Sequence, residues 1–293
     1  AFQVALNSKI YIDKTGLIAC MNDVLDSTDG YICNSRPRRF GKSYAANMLA
    51  AYYSKGADSE EMFFDLEIGK TEDFKKHLNK YDVIHIDVQW FLTNCEEAEN
   101  VVAYITRIVL DELREIYPEI LSEDVRSLPD GLSRVKDKTG QKFIIIIDEW
   151  DCVVRNSTDQ DLIHQYLQFL HSLFKSEESK SFLALGYITG IMPIKKIKDE
   201  SALNNFEEYT MLKSRLITKY YCFTEEEVKD LCKRYDMDFE TTKEWYNGYL
   251  IDGMHMYNPN SISQAMKYHD FDSYWRNTSA FGTINNFIMM NYS

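Results

Sequence analysis

The chain has 293 residues, of which 45% are hydrophobic and 27% charged, so it can form one large core or two smaller ones. Its formal net charge of −13 excludes a protein whose whole surface binds nucleic acid, although a local basic site remains compatible with it. Aromatic residues are frequent, while glycine and proline are scarce.

The first segment combines a short strand candidate, Lys9–Ile12, with a helix start at Asp13-Lys14-Thr15. It stands just ahead of a loop with phosphate-binding character. Because such segments often fold over the base of a nucleotide, Asp13 and Lys14 are candidate lining residues. The alternative is that they only begin a helix.

The loop Ser35–Ser43 lies between a β-favouring run and a helix-favouring run and ends in Gly-Lys-Ser. In this layout backbone N–H groups and the helix N-terminus surround phosphates, Lys42 reaches the β and γ oxygens, and the Ser43 hydroxyl holds Mg²⁺. The sequence therefore predicts a site for ATP and Mg²⁺. The residues expected to contact the nucleotide are Arg38, Arg39, Phe40, Gly41, Lys42, Ser43 and Tyr44.

The loop departs from the usual pattern, since Arg36 stands where glycine is expected. We expect the Arg36 side chain to point away from the loop, toward solvent or a neighbouring acid. Arg38 or Arg39 could contact the γ-phosphate from inside the loop, or could form salt bridges or stiffen the loop. An arginine supplied by a partner is equally compatible with the sequence.

Further along the chain, residues 82–88 predict a second strand, and apolar residues at helical spacing predict a long helix between Glu99 and Ile120. A shorter helix is expected over Glu123–Lys136, with a break at Pro129-Asp130-Gly131.

The apolar run Phe143–Ile147 leads directly into Asp148 and Glu149, which is typical of a buried parallel strand ending in carboxylates. Ligands bind outside the carboxyl ends of such strands. Asp148 is therefore expected to orient the Mg²⁺ shell and Glu149 to activate the attacking water. A further strand ends at Thr189, whose hydroxyl is expected to sense the γ-phosphate or orient water.

A helix is expected over Asp159–Lys175 and a short fifth strand at Tyr209–Leu212. From residue 219 the chain reads as a small helical domain, which begins with a capping box formed by Thr224 and Glu227. We expect an ATPase core over 1–218 and a lid-like helical domain over 219–293.

The six cysteines show no Cys-x-x-Cys pair and no histidine spacing typical of zinc, which favours a reducing compartment. No apolar run is long enough to span a bilayer and no signal peptide is visible, so we expect a cytoplasmic protein without membrane contact. The first residue, Ala1, and the apolar end suggest a fragment of a longer chain, with the C-terminal domain truncated.

Several motifs together resemble the bacterial AAA-ATPase-like family of P-loop proteins. The most specific is Arg-Pro-Arg-Arg-Phe-Gly-Lys-Ser at residues 36–43, in which arginine is the family's own residue at the first position. The other motifs are Tyr11–Thr15, Ile147–Asp151, Thr189–Ile191, Phe223–Val228, Trp245–Tyr249, Tyr257–Pro259 and Tyr274–Ser279. Where members typically have tyrosine after the Asp-Glu pair, this chain has Trp150.

The resemblance implies an ATPase core of the additional-strand type, in which the strand ending at Thr189 separates the phosphate-loop strand from the acidic strand. It also implies a catalytic glutamate. Members often carry a C-terminal nuclease-like domain, which nothing here matches, so binding of nucleic acid is expected only through a domain beyond residue 293.

Two other functions are compatible with the sequence. The chain could be a nucleotide-dependent switch with negligible turnover that presents its helical domain to a protein partner or forms a homo-oligomer. Alternatively, the basic loop could bind nucleic acid phosphates, but carboxylates beside that loop would repel a polyanion in the absence of a metal. No Asn-Lys-x-Asp guanine signature is present, which favours adenine.

Overall fold

The computed structural model describes residues 1–95, 100–196, 203–213 and 215–274. Its centre is a sheet of five parallel strands in the order β2-β3-β4-β1-β5. The predicted parallel sheet is therefore confirmed. The strands are β1 (Tyr31–Ser35), β2 (Asp82–Asp87), β3 (Phe143–Asp148), β4 (Leu183–Gly190) and β5 (Glu207–Tyr209).

The order of the strands positions the site. β4 lies between β1 and β3, as expected, with Asn34 paired to Thr189 and Ile147 paired to Ile188. Parallel strands end at the same edge of a sheet, so the phosphate loop after β1 and the acids after β3 meet on either side of Thr189.

Helices cover both faces of the sheet. The side chains of β3 point alternately to the two faces, so each face carries apolar residues that a layer of helices buries. Phe143, Ile145 and Ile147 belong to one buried cluster, whereas Ile144 and Ile146 belong to another. The helices are α1 (Phe2–Leu6), α2 (Gly16–Asn22), α3 (Lys42–Tyr53), α4 (Glu60–Phe63), α5 (Phe74–His77), α6 (Val88–Asn94), α7 (Val101–Ile116), α8 (Leu128–Thr139), α9 (Cys152–Asn156), α10 (Gln160–Phe174), α11 (Ser179–Phe182), α12 (Glu225–Arg234), α13 (Phe239–Tyr246) and α14 (Pro259–Tyr268). Among the residues described above, no helix is both long and apolar enough to cross a membrane.

Several local predictions were wrong. The fifth strand spans Glu207–Tyr209 and so ends at the residue where it was expected to begin. Pro129 does not break a helix but lies in the first turn of α8, where a proline costs no hydrogen bond. Residues 9–12 are not a strand, because Ile10 and Ile12 pack against the core of the C-terminal part instead of pairing with a sheet.

The C-terminal part contains the expected helices α12 to α14, and the capping box of Thr224 and Glu227 is present. It also contains a three-stranded antiparallel sheet that the sequence did not predict, in the order β6-β8-β7. Its strands are β6 (Phe223–Thr224), β7 (Asn247–Ile251) and β8 (Met254–Tyr257). The boundary at residue 218 stays a prediction, and residues 275–293, with most of the Tyr274–Ser279 motif, lie outside the described part.

Candidate functional site

The loop between β1 and α3 requires an unusual backbone. Gly41 has a φ of 81° and Arg39 a φ of 68°, both in the left-handed region. No atom lies within 4 Å of the place where a Cβ on Gly41 would stand, so the backbone conformation, not lack of space, favours glycine here. The turn leads directly into α3, whose first N–H groups have no partner within the helix.

Lys42, the first residue of α3, is buried against this loop. Its Nζ donates a hydrogen bond to the carbonyl oxygen of Pro37 at 3.1 Å, and only 4% of the residue is exposed. Burial lowers the pKa of Lys42, while the charges of Glu149 and Asp148 act in the opposite direction. An ammonium group therefore lies within the curve of the loop and faces the acidic strand end.

The other predicted loop residues divide into two groups. Arg38, Arg39, Ser43 and Tyr44 are exposed at the mouth of the loop. Phe40 is buried, and its ring packs edge-on against Tyr249 of β7 at 5.2 Å. The side chain of Phe40 thus joins the loop to the C-terminal sheet.

The Arg36 side chain does not point toward solvent, which was one of the two expected directions, because it is fully buried. Nε donates to Oδ1 of Asn34 at 2.9 Å, and the guanidinium lies over the ring of Tyr221 at 4.7 Å. The side-chain amide of Asn34 and the face of the Tyr221 ring thus contact the guanidinium cation in place of water. The backbone N–H of Arg36 donates to the carbonyl of Gly190 at 3.0 Å and so extends the pairing of β1 with β4.

Asp148 and Thr189 are joined across neighbouring strands. The Thr189 hydroxyl donates to Oδ1 of Asp148, and the backbone N–H of Glu149 donates to the same oxygen at 3.0 Å. Both donors use Oδ1 and neither uses Oδ2. The carboxylate is thereby held in one orientation at the end of β3.

Glu149 follows β3 with a φ of 54°, again in the left-handed region. Its Oε2 accepts a hydrogen bond from Nη2 of Arg155 at 2.8 Å. Burial raises the pKa of the Glu149 carboxyl, and the charge of Lys42 opposes that rise. The structure thus brings together Lys42, Asp148, Glu149 and Thr189 at one edge of the sheet, as the sequence predicted.

Sequence reasoning missed the role of Arg155. This residue of α9 also donates from Nε to Oδ2 of Asp151 at 2.7 Å. The four-residue spacing of Asp151 and Arg155 is the usual one for an ion pair within a helical turn and was the signal available. Arg155 therefore links two carboxylates that follow the acidic strand.

A cavity of about 260 Å³ opens beside the loop. Its walls come from the N-terminal segment, from the start of α3, from residues 220–223 and from the start of α14. They are formed by Ile10, Tyr11, Ile12, Lys14, Gly41, Tyr44, Ala45, Met48, Tyr220, Tyr221, Cys222, Phe223, Pro259, Asn260 and Ser263. The motifs Phe223–Val228 and Tyr257–Pro259 reach this cavity, but nothing in their spacing indicated that they would meet there.

The two candidate lining residues ahead of the loop have different environments. Lys14 lines the cavity, and its Nζ donates to both carboxylate oxygens of Glu227, at 2.6 and 2.7 Å. Asp13 lies outside the lining, and its carboxylate accepts from the backbone N–H and hydroxyl of Thr15 and from the N–H of Glu67. The position of Asp13 suits a helix start.

The oxygen ligands of the site fit a magnesium ion that arrives with phosphates. Within the described ranges, no group of three or more His, Cys, Asp or Glu side chains converges as a protein-only metal cage would require. Mg²⁺ needs no such cage, because it usually keeps several waters and takes one or two protein oxygens plus phosphate oxygens. The Ser43 hydroxyl and the Asp148 carboxylate suit that coordination.

Comparison with known proteins gives one match to a family and several weaker similarities. The model of a family described as predicted AAA-ATPase matches residues 3–198. The chain is 22% identical over 271 residues to an "Uncharacterized protein in vnfD 5'region" of Azotobacter chroococcum mcd 1. That match covers 92% of this chain and 50% of the relative, so the chain spans about half the relative's length.

Two solved structures are similar at low identity. The replication initiator DnaA bound to AMPPCP and single-stranded DNA matches with a TM-score of 0.45 and 12% identity, over 91% of this chain and 64% of that one. The ORC2 protein of Aeropyrum pernix, in ADPNP-ADP complexes, matches with a TM-score of 0.45 and 9% identity, over 78% and 55% of the two chains. The nucleotides and the DNA in these two structures are ligands of those proteins.

Proposed function

The chain belongs to the family of predicted AAA-ATPases, and from that premise we propose that its site binds Mg-ATP and hydrolyses the terminal phosphate. The nucleotide state would then be coupled to a protein partner, to another copy of the chain or to an appended domain. One observation carries the proposal: the buried ammonium of Lys42 lies between a phosphate-type loop and two carboxylates.

Each residue has a role that its position supports. Lys42 neutralises charge on the β and γ oxygens, the first N–H groups of α3 donate hydrogen bonds to them, and Ser43 and Asp148 would hold Mg²⁺. Glu149 takes the proton of the attacking water, and the hydroxyl of Thr189 keeps Asp148 oriented or aims that water. When bound, the metal ion neutralises charge on the phosphate oxygens.

The cavity beside the loop is proposed to hold the base. It adjoins Gly41 and Tyr44, and most of its walls are apolar or aromatic, as adenine pockets require. Because Lys14 is bound to Glu227 there, its proposed contribution is to shape the pocket, not to contact phosphate.

Phosphate release tests the proposal, with Lys42→Ala as the blank. Glu149→Gln is expected to keep its affinity for Mg-ATP and to lose hydrolysis by roughly 10²–10⁴-fold, the usual effect of a positioned general base. Calorimetry measures the affinity and steady-state phosphate release the turnover. Wild type and Glu149→Gln with equal rates, both above the blank, would contradict the role proposed for Glu149.

The second candidate is a nucleotide-dependent switch with negligible turnover. The contact between Phe40 in the loop and Tyr249 in the C-terminal sheet favours it, because nucleotide bound at the loop is in this way connected to another part of the chain. In that case wild type binds Mg-ATP, but releases phosphate no faster than Glu149→Gln.

A further inference from the structure

Arg155 joins the two carboxylates through one edge of its guanidinium. Nη2 contacts Oε2 of Glu149 at 2.8 Å, and Nε contacts Oδ2 of Asp151 at 2.7 Å. The side chain is only 18% exposed, and the pair of donors on one planar edge fixes the direction of both bonds. A lysine, which carries a single ammonium, cannot reproduce that fork.

Asp151 provides a rigid anchor for Arg155. It is fully buried, and its Oδ2 also accepts from the backbone N–H groups of Ile191 and Met192, at 3.2 and 2.8 Å. A Cβ on Gly190 would lie 2.6 Å from Oδ1 of Asp151, so the chain after β4 packs tightly on this carboxylate. The anchor is therefore part of the strand end that carries Thr189.

Glu149, in contrast, stands on a left-handed turn and is partly exposed, with 22% of its side chain accessible. A carboxylate in such a place has rotational freedom unless another group holds it. Arg155 binds Oε2 of Glu149 and thereby fixes the direction in which Oε1 points. This matches the general arrangement in which a base is oriented by a third group.

We propose that Arg155 is a positioning residue that fixes the Glu149 carboxylate, through the Asp151 anchor, in the orientation that activates water. The proposal rests on the proposed ATPase function. Arg155 contacts neither phosphate nor water in this role, and acts only through Glu149.

The experiment measures Mg-ATP affinity, kcat and KM for Arg155→Ala, Arg155→Lys and the matched control Arg134→Ala. Arg134 forms an ion pair with Asp130 at the same four-residue spacing, on an exposed face of α8. Arg155→Ala should lower kcat roughly 10²-fold, the usual effect of a small misplacement of a catalytic group, with affinity and KM nearly unchanged. Arg155→Lys should regain only part of the rate, and Arg134→Ala should match wild type.

A second measurement separates positioning from a structural role. In the Glu149→Gln background, Arg155→Ala should cause no further loss of turnover, because the group that Arg155 orients is no longer a base. An equal loss in both backgrounds would show that Arg155 does not act through Glu149 and would overturn the proposal. A fall in ATP affinity parallel to the rate would overturn it too.

Other results are equally decisive. A wild-type or raised rate in Arg155→Ala would mean that the ion pair is dispensable or restrains Glu149. If Arg155→Ala does not fold, Arg155→Lys carries the test, since it keeps the charge and a wild-type rate for it would refute the need for the fork. Wild-type turnover no higher than that of Lys42→Ala would instead refute the ATPase function itself.

Discussion

The two ends of the proposed nucleotide site are built in different ways. The phosphate end uses short continuous stretches, residues 36–43 and 148–155, which carry fixed charges and left-handed backbone turns. The base end is a cavity assembled from residues 10–14, 41–48, 220–223 and 259–263, most of them apolar or aromatic. Charge recognition depends on exact placement of a few atoms, whereas a flat base needs walls that many side chains can supply.

This difference means that the two ends can be perturbed separately. On the proposed function, inorganic triphosphate would occupy only the phosphate end, while ATP would occupy both. Measuring both ligands with each variant shows whether the division of the site is real.

The largest effect is expected from Lys42→Ala. Its affinity for Mg-ATP and for Mg-triphosphate should both fall about 100-fold, since a buried charge-assisted hydrogen bond contributes roughly 1.5–3 kcal/mol. Calorimetry measures both constants. Lys138→Ala, which removes an exposed lysine of α8, is the control and should change neither.

An intermediate effect is expected from Asp148→Asn. The variant keeps an oxygen near Mg²⁺ but loses the charge, so Mg²⁺-dependent affinity should fall roughly tenfold for both ligands. Titration with and without EDTA separates that loss from metal-free binding, which should not weaken. Asp137→Asn, at an exposed position of α8, is the control, and a tenfold loss in metal-free binding as well would argue against a metal role for Asp148.

The smallest effect is expected from Ser263→Leu, which adds bulk to the wall of the cavity. ATP affinity should fall roughly fivefold, because added bulk in a cavity whose walls can adjust in part costs about 1 kcal/mol, the lower end of the usual range for overpacking. Triphosphate affinity should stay unchanged. The control is Gln264→Leu, the next residue of α14, which does not line the cavity. Equal losses for both ligands would remove the distinction between the two ends.

Much of the phosphate end could be predicted because local sequence determines it. Local sequence alone predicts three features, which are the apolar strand β3, the acids that follow it and the Gly-Lys-Ser turn. The order of the strands was predicted from the resemblance to a family. The C-terminal hairpin was missed, although Asp252-Gly253 is a sequence typical of a two-residue hairpin turn, because this part of the chain was expected to be helical. Both residues have positive φ in the structure.

The other misses depend on tertiary contacts. Burial of Arg36 requires the ring of Tyr221, which is far away in the sequence. The base cavity requires four segments to meet, and no spacing within any one of them indicates that. The ion pair of Arg155 with Asp151 could in principle have been predicted from the sequence. The second contact of Arg155, with Glu149, could not, because it depends on the turn after β3.

The ion pair of Lys14 with Glu227 has a consequence for how the chain folds as it is synthesised. The two residues are 213 positions apart, so this pair closes one of the longest loops in the molecule. The charged residues of the phosphate end and the backbone N–H groups that hold Asp151 have all been made by Met192, but the cavity wall must wait for residues up to Ser263. During synthesis, a chain that stops short of α14 would therefore carry the charged groups proposed to bind phosphate while it still lacks part of the wall proposed to recognise the base.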